Sequence, residues 1–197
     1  MKKTVAFIAA AALFSFALLG CQSPGVSSKR TPVTLNEVAH SIFYAPQYAA
    51  IELGYFEDEG LDLTLVNGAG ADKVMTALVS GDADIGFMGS EASIYTYAGG
   101  AEDYAVNFAQ LTQRAGNFLV AREPMDDFSW DMVKGTKVLG GRAGGMPQMV
   151  FEYILKKNGI DPKTDLSIDQ SISFGLTAAA FTNSDAQFTV EFEPFAT

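Results

Sequence analysis

The chain has 197 residues, 48% of them hydrophobic, with 23 acidic against 13 basic side chains and a formal net charge of −10. That balance excludes a partnership with nucleic acid and bears on solubility and association rather than fold. A single cysteine and a single histidine exclude a disulfide framework and argue against a zinc or iron–sulfur centre, so no cofactor, no metal and no catalytic residue is expected, and apolar burial must supply the core of one or two small domains.

Residues 1–20 read as an export signal. Lys2 and Lys3 precede an apolar run from Val5 to Leu19 that is brief for a bilayer span and ends in small residues a signal peptidase accepts. Leu18, Leu19, Gly20 and Cys21 resemble the bacterial lipobox, although Leu19 stands where that pattern prefers a smaller residue. The resemblance implies a diacylglyceryl group on Cys21 and attachment to the outer face of the cell membrane through two acyl chains. Residues 21–32, rich in Ser, Pro, Gly and Lys, then form a polar tether unable to bury surface.

From Val33 onward, short β-like runs alternate with helical ones. A strand over 33–39 leads to a helix with Pro46 in its first turn, stopped by Gly54. A strand over 61–66 runs through a tight Gly68–Ala69–Gly70 loop into a helix over 71–80, ended by Gly81. Residues 85–88 make a third strand, Ser90 stands as N-cap, and 91–98 is the next helix. Two extended runs, 104–111 and 118–122, mark a boundary, after which the same grammar restarts. A strand over 137–139 enters a loop holding Gly140, Gly141, Gly144 and Gly145, and Pro147 opens a helix to Lys157. A strand over 166–169, a helix over 175–181 and a strand over 187–192 complete the pattern. Alternation of this kind predicts an α/β fold with mostly parallel sheets flanked by helices.

Four segments carry a family resemblance: HSIFYAPQYAAIELGYFEDEGLDLTL from His40, GAGADKVMTALVSGDADIGFMGSEA from Gly68, KGTKVLGGRAGGMPQMVFEYILKKNGIDP from Lys134 and VEFEPFAT from Val190. In order and spacing they resemble the solute-binding lipoproteins of ABC importers for sulfonates, nitrate, taurine and thiamine-precursor pyrimidines, the NMT1/THI5-like group. The resemblance implies a type II periplasmic-binding-protein-like fold, with two lobes closing over a ligand. It places lobe 1 at 33–115, lobe 2 at 116–190 and the start of a return crossover at 191–197. Family members continue past that crossover, so the first lobe is expected to be incomplete here and the sequence to be a fragment.

Ligands of open α/β sheets sit outside the carboxyl ends of the strands. That rule selects Phe43 and Tyr44, which either stack on a planar ligand or pack in the core; Gly68 and Gly70; and Gly89, Ser90 and Glu91. From the second half it selects Arg142, Gly144, Gly145 and Met146, a glycine-rich helix entry with one positive charge. This is either a cradle for a sulfonate, phosphate or carboxylate or a turn chosen for geometry. Asn117 either donates to a ligand between the lobes or caps a turn, and His40 is either at the cleft entrance or a satisfied structural residue. Glu193 lies where amine-binding relatives in the resembling family place an acid. A closing cleft tolerates Glu91 or Glu193 only against a donor; if Glu193 faces inward, the ligand carries an amine, amidine or aminopyrimidine edge, and if it faces out it is one more solvated charge.

The expected role is capture of a small-molecule solute by a monomer that hands it to an ABC permease and its ATPase. The alternatives are an enzyme of thiamine-pyrimidine synthesis, which shares the fold but needs an active-site histidine cluster and a cysteine-rich iron motif that one histidine and one cysteine do not supply, and a ligand-sensing domain.

Overall fold

The computed structural model describes residues 29–114 and 116–197. The export signal, Cys21 and the tether as far as residue 28 lie outside the described residues. Residues 31–197 form one body.

Thr31–Glu37 (β1), Leu61–Asn67 (β2) and Ile85–Phe87 (β3) make a parallel sheet in the order β2-β1-β3. Parallel neighbours need crossovers, supplied by Ala45–Glu52 (α1), the short Tyr55–Asp58 (α2) and Ala71–Ser80 (α3); Glu91–Ala98 (α4) follows β3. Pro46 sits in the first turn of α1, where its missing N–H costs no bond. Gly81, left-handed at φ 81°, closes α3.

A second sheet runs β4-β7-β5-β6, built from Asn117–Ala121 (β4), Lys137–Leu139 (β5), Ser167–Asp169 (β6) and Phe188–Phe192 (β7). β5 is parallel to both β6 and β7, and β4 is the antiparallel edge. Met146–Lys157 (α5) and Thr177–Thr182 (α6) are its helices. Phe151 and Leu155, one turn apart on α5, pack with Val138, Phe188, Val190, Ile160 and Val133 into an apolar core. The expected α/β architecture of mostly parallel sheets flanked by helices is the one found.

Two segments depart from expectation. β1 begins at Thr31 and so draws Thr31 and Pro32 out of the tether. Pro32 is tolerated because β3 reaches only Leu35–Glu37, leaving β1 one neighbour at that level. Residues 104–111 form no strand. Val106 and Phe108 are each 76% exposed there, and no ladder among the described residues takes the segment up. At the other end, β7 runs to Phe192, where the expected strand over 187–192 stops.

Candidate functional site

Because β2, β1 and β3 run the same way, their carboxyl ends gather residues 38–44, 68–70 and 88–90 on one side of their sheet. By the same logic β5, β6 and β7 gather residues 140–145, 170–176 and those after Phe192. The antiparallel β4 brings Asn117 to this end, opposite Phe192. These two loop sets meet. Arg142 grips Asp72 at two points, Nε to Oδ1 at 2.8 Å and Nη2 to Oδ2 at 2.6 Å. The Phe43 and Phe192 rings lie 6.2 Å apart, and Phe174 extends the row at 5.1 Å from Phe192. Gly70 lets the arginine through: a Cβ there would stand 2.9 Å from Arg142 Nε.

Carboxylates buried around this junction differ in how they are satisfied. Glu37, at the end of β1, is 1% exposed. Its Oε2 accepts from Gln47 Nε2 and the Tyr48 hydroxyl, both at 2.9 Å, and His40 Nδ1 lies 3.1 Å from Oε1. His40 also stacks on Tyr48 at 4.3 Å, so it is a structural partner of Glu37, the second of the two readings its sequence left open. Burial, with Glu37 beside it, pushes the Tyr48 hydroxyl up to about 12.

On β7, Glu191 is equally hidden and accepts from Thr177 Oγ1 at 2.6 Å and Thr189 Oγ1 at 2.8 Å. Burial raises its pKa, against the pull of those two hydroxyls. A narrow cleft of about 10 Å³ is bounded by Arg142, Phe174, Thr177, Glu191 and Phe192, room for about one water. A wider hollow of about 460 Å³, lined by Leu119, Arg122, Phe128 and Phe188, opens at the amino end of β7. It lies away from the strand ends where the polar groups gather.

Glu91 has no such partners. It is 2% exposed, and neither carboxylate oxygen is hydrogen-bonded. The carboxylate lies against Gly89, where a Cβ would collide with it. Burial raises its pKa; its own amide and that of Met146, at the start of α5, favour the charged form without reaching hydrogen-bond geometry. The Tyr44 hydroxyl is pushed up to about 12, first by burial and then by Tyr48, Glu37 and Glu91. The Tyr44 ring packs on Phe87 at 4.4 Å.

Phe43, Tyr44, Gly68, Gly70, Gly89, Glu91, Asn117, Arg142 and Met146 thus lie at the two sets of strand ends. Ser90 starts α4 but does not cap it: its backbone is already helical at φ −62°, ψ −20°, not the extended form from which a hydroxyl reaches the free amides. Three amides of the cradle at 141–146 and its arginine are already engaged. Ala143 donates to the Gln170 carbonyl, Gly144 to Gln148 Oε1 and Gly145 to the Arg142 carbonyl, while the guanidinium serves Asp72. Glu193 is half-buried and accepts from Thr197 Oγ1 at 2.6 Å. Sequence reasoning missed Glu37, Asp72, Thr177 and Glu191. The signal was there for Glu37 and Glu191, carboxylates inside apolar β runs (VTLNEV and FTVEF).

Among the described residues no three His, Cys, Asp or Glu side chains cluster as metal ligands, and no helix is long and apolar enough to cross a membrane. The family model described as "NMT1/THI5 like" matches residues 42–191. The chain is 49% identical over 179 residues to the Bacillus subtilis (strain 168) protein named "Putative binding protein YtlA", covering 91% of this chain and 53% of that one. It therefore spans about half the length of the curated relative it matches. A solved protein of Bordetella bronchiseptica RB50 superposes with a TM-score of 0.69 at 23% identity, covering 85% of this chain and 52% of that one. The ligand-binding component of an ABC-type import system from Staphylococcus aureus, solved with zinc, gives 0.62 at 18%, covering 84% and 56%. Both likenesses show the fold, that of periplasmic binding proteins, and the chain belongs to the NMT1/THI5-like family.

Proposed function

We propose that this protein is an extracytoplasmic solute-binding lipoprotein, tethered through Cys21, that captures a small polar or heteroaromatic nutrient and delivers it to an ABC permease and its ATPase. The observation that carries this reading is the meeting of two sets of strand ends across the Arg142–Asp72 pair, with buried polar groups on both sides. Binding proteins of this fold need no bond chemistry, only a crevice that closes. The junction is nearly filled, so a solute enters by separation of the two sheets, and closure over it makes the surface a permease reads. Capture is the role in the printed names of the Bacillus and Staphylococcus relatives. Sulfonates, amine-bearing anions and pyrimidines are the candidate classes.

A thermal-shift screen of the full chain tests this reading. A true ligand at a hundred times its dissociation constant adds about 2.7 kcal/mol, and micromolar affinity corresponds to about −8 kcal/mol. Uptake of the same compound by cells should disappear when this gene or its permease is deleted. Conversion of the compound by the purified protein would point to an enzyme instead. The anchor is tested separately: Cys21→Ser should release the protein from the membrane fraction.

A further inference from the structure

We infer that residues 104–112 form the interface between two copies of this chain, each laying that segment antiparallel against its counterpart about a two-fold axis at Phe108. The protein is then a dimer rather than the expected monomer.

The argument begins from backbone without a partner. Residues 104–112 run between bends at 102–103 and 113–114 without helix or turn. Among the described residues, no backbone N–H or C=O of 104–111 is hydrogen-bonded to other backbone, and such a stretch is a template for another strand. Its side chains already alternate as a strand's do. Ala105 packs against the cluster of Ala71, Met75 and Ala92, and Asn107 Nδ2 donates to Ser93 Oγ at 2.8 Å. Tyr104, Val106 and Phe108, on the opposite face, are 48%, 76% and 76% exposed. The segment is therefore held on one side and bare on the other. Tyr97 of α4, itself exposed, meets the Tyr104 ring edge-on at 5.3 Å and widens the bare face. Contiguous exposed apolar surface of this kind marks a site of protein contact.

Charge selects the partner and its direction. The bend before the segment carries Glu102 and Asp103, and the bend after it carries Arg114. None of the three is in an ion pair among the described residues. An antiparallel second copy with Phe108 opposite Phe108 sets Glu102 of each copy opposite Arg114 of the other, and Val106 opposite Gln110. Opposite charges placed directly across two strands stabilise the pair, whereas a parallel arrangement would set like charges side by side at both ends. The axis passes through one of the two most exposed side chains of the run. A two-fold contact of this kind also closes on itself, using the one bare face of each copy.

Analytical ultracentrifugation of the full chain carrying Cys21→Ser should show a dimer that dissociates on dilution. Phe108→Glu should raise its dissociation constant roughly thirtyfold or more, as loss of a central apolar anchor does. Glu102→Arg and Arg114→Glu should each weaken the dimer, and the two together should restore it, because the antiparallel register brings the two positions opposite each other. Hydrogen exchange should find alternate amides of 104–112 protected in the dimer and open in Phe108→Glu. A chain that stays monomeric at every concentration overturns the proposal, and so does growth beyond two copies, since a closed pair leaves no free edge. Protection of 104–112 in a monomer would assign the face to another segment of the same polypeptide and overturns it too. A dimer indifferent to Phe108→Glu and to both charge reversals lies on another surface, with the same consequence.

Discussion

The two sheets bury different things. Behind the second sheet lie Val133, Val138, Phe151, Leu155, Ile160 and Phe188, each at most 3% exposed, a core that excludes water by shape alone. The first sheet packs Ala71, Met75 and Ala92 into a thin apolar cluster and hides Asn36, Glu37, Gln47, Glu91 and Ser93 beside them. One half is anchored by hydrocarbon and the other mixes a thin apolar cluster with buried polar groups, several of whose oxygens have no hydrogen-bond partner, so the first half should be the adaptable side of the junction. Polar interiors hold only while their partners hold.

The largest effect should come from the apolar half. Leu155→Ala, at a site with no exposed surface, is expected to cost about 2–5 kcal/mol through lost transfer energy and a cavity. Met75→Ala in the thin cluster should cost less than half of that, since its surroundings can collapse. Denaturant titration measures both, and equal losses would erase the contrast between the sheets.

Next comes the buried Thr177–Glu191–Thr189 network of the second half. Thr177→Val keeps the shape but takes away the 2.6 Å donor to Glu191, for an expected loss of about 1–3 kcal/mol. Glu191 should then titrate still higher, readable by carbonyl-labelled NMR. A neutral result would mean that water replaces the hydroxyl and that the network is not closed.

A smaller effect is the response to pH. Glu91 and Glu191 both have pKa values raised by burial. The unfolded chain therefore ionises them first, at about 4.3. Their contribution to stability is fully present below that value and is lost as pH rises through the raised folded values. Stability should thus climb as pH is lowered through the raised folded values toward the unfolded one of about 4.3, and the climb should flatten in a Glu91→Gln, Glu191→Gln double variant. A slope unchanged by both substitutions would assign it elsewhere.

Much of this was legible in the sequence because it is local. Gly81 closing α3, Pro46 and Pro147 opening helices and the alternation of strands and helices are set by nearest neighbours. The loops of the site were legible too, since strand direction alone gathers them. What was hidden is pairing over distance. Arg142 offers a free charge when read in its own loop; that Asp72, 70 residues away, claims it depends on two helix starts meeting. Glycines at 68 and 70 read as a tight loop; what the sequence hides is that a Cβ would strike Asn36 Oδ1 at 2.7 Å from the first and the Arg142 side chain from the second. Segment 104–111 had the pattern of a strand but no neighbour to pair with, and pattern without a ladder does not make one.

The smallest predicted effect on stability bears most directly on the junction. Arg142 and Asp72 keep side-chain exposures of 23% and 44%, so solvent screens the pair and its worth is at most about 1 kcal/mol. Arg142→Lys replaces a two-point fork with a point charge and should leave the melting temperature nearly unchanged. It should nevertheless speed hydrogen exchange at 144–146, because the fork is what fixes that turn against α3. Asp72→Asn should do the same, and the double variant should add nothing further, the signature of one shared interaction. The pair also has an acid limit. The Arg142 guanidinium holds the Asp72 carboxyl below the usual range, so its contribution stands above the unfolded value of about 3.9 and disappears as pH falls through the lower folded one. That direction is opposite to the glutamates', and high salt should weaken this pair but not them. If the two single variants add independently, Arg142 and Asp72 are neighbours rather than a clasp, and the junction leans instead on contacts such as the phenylalanine row.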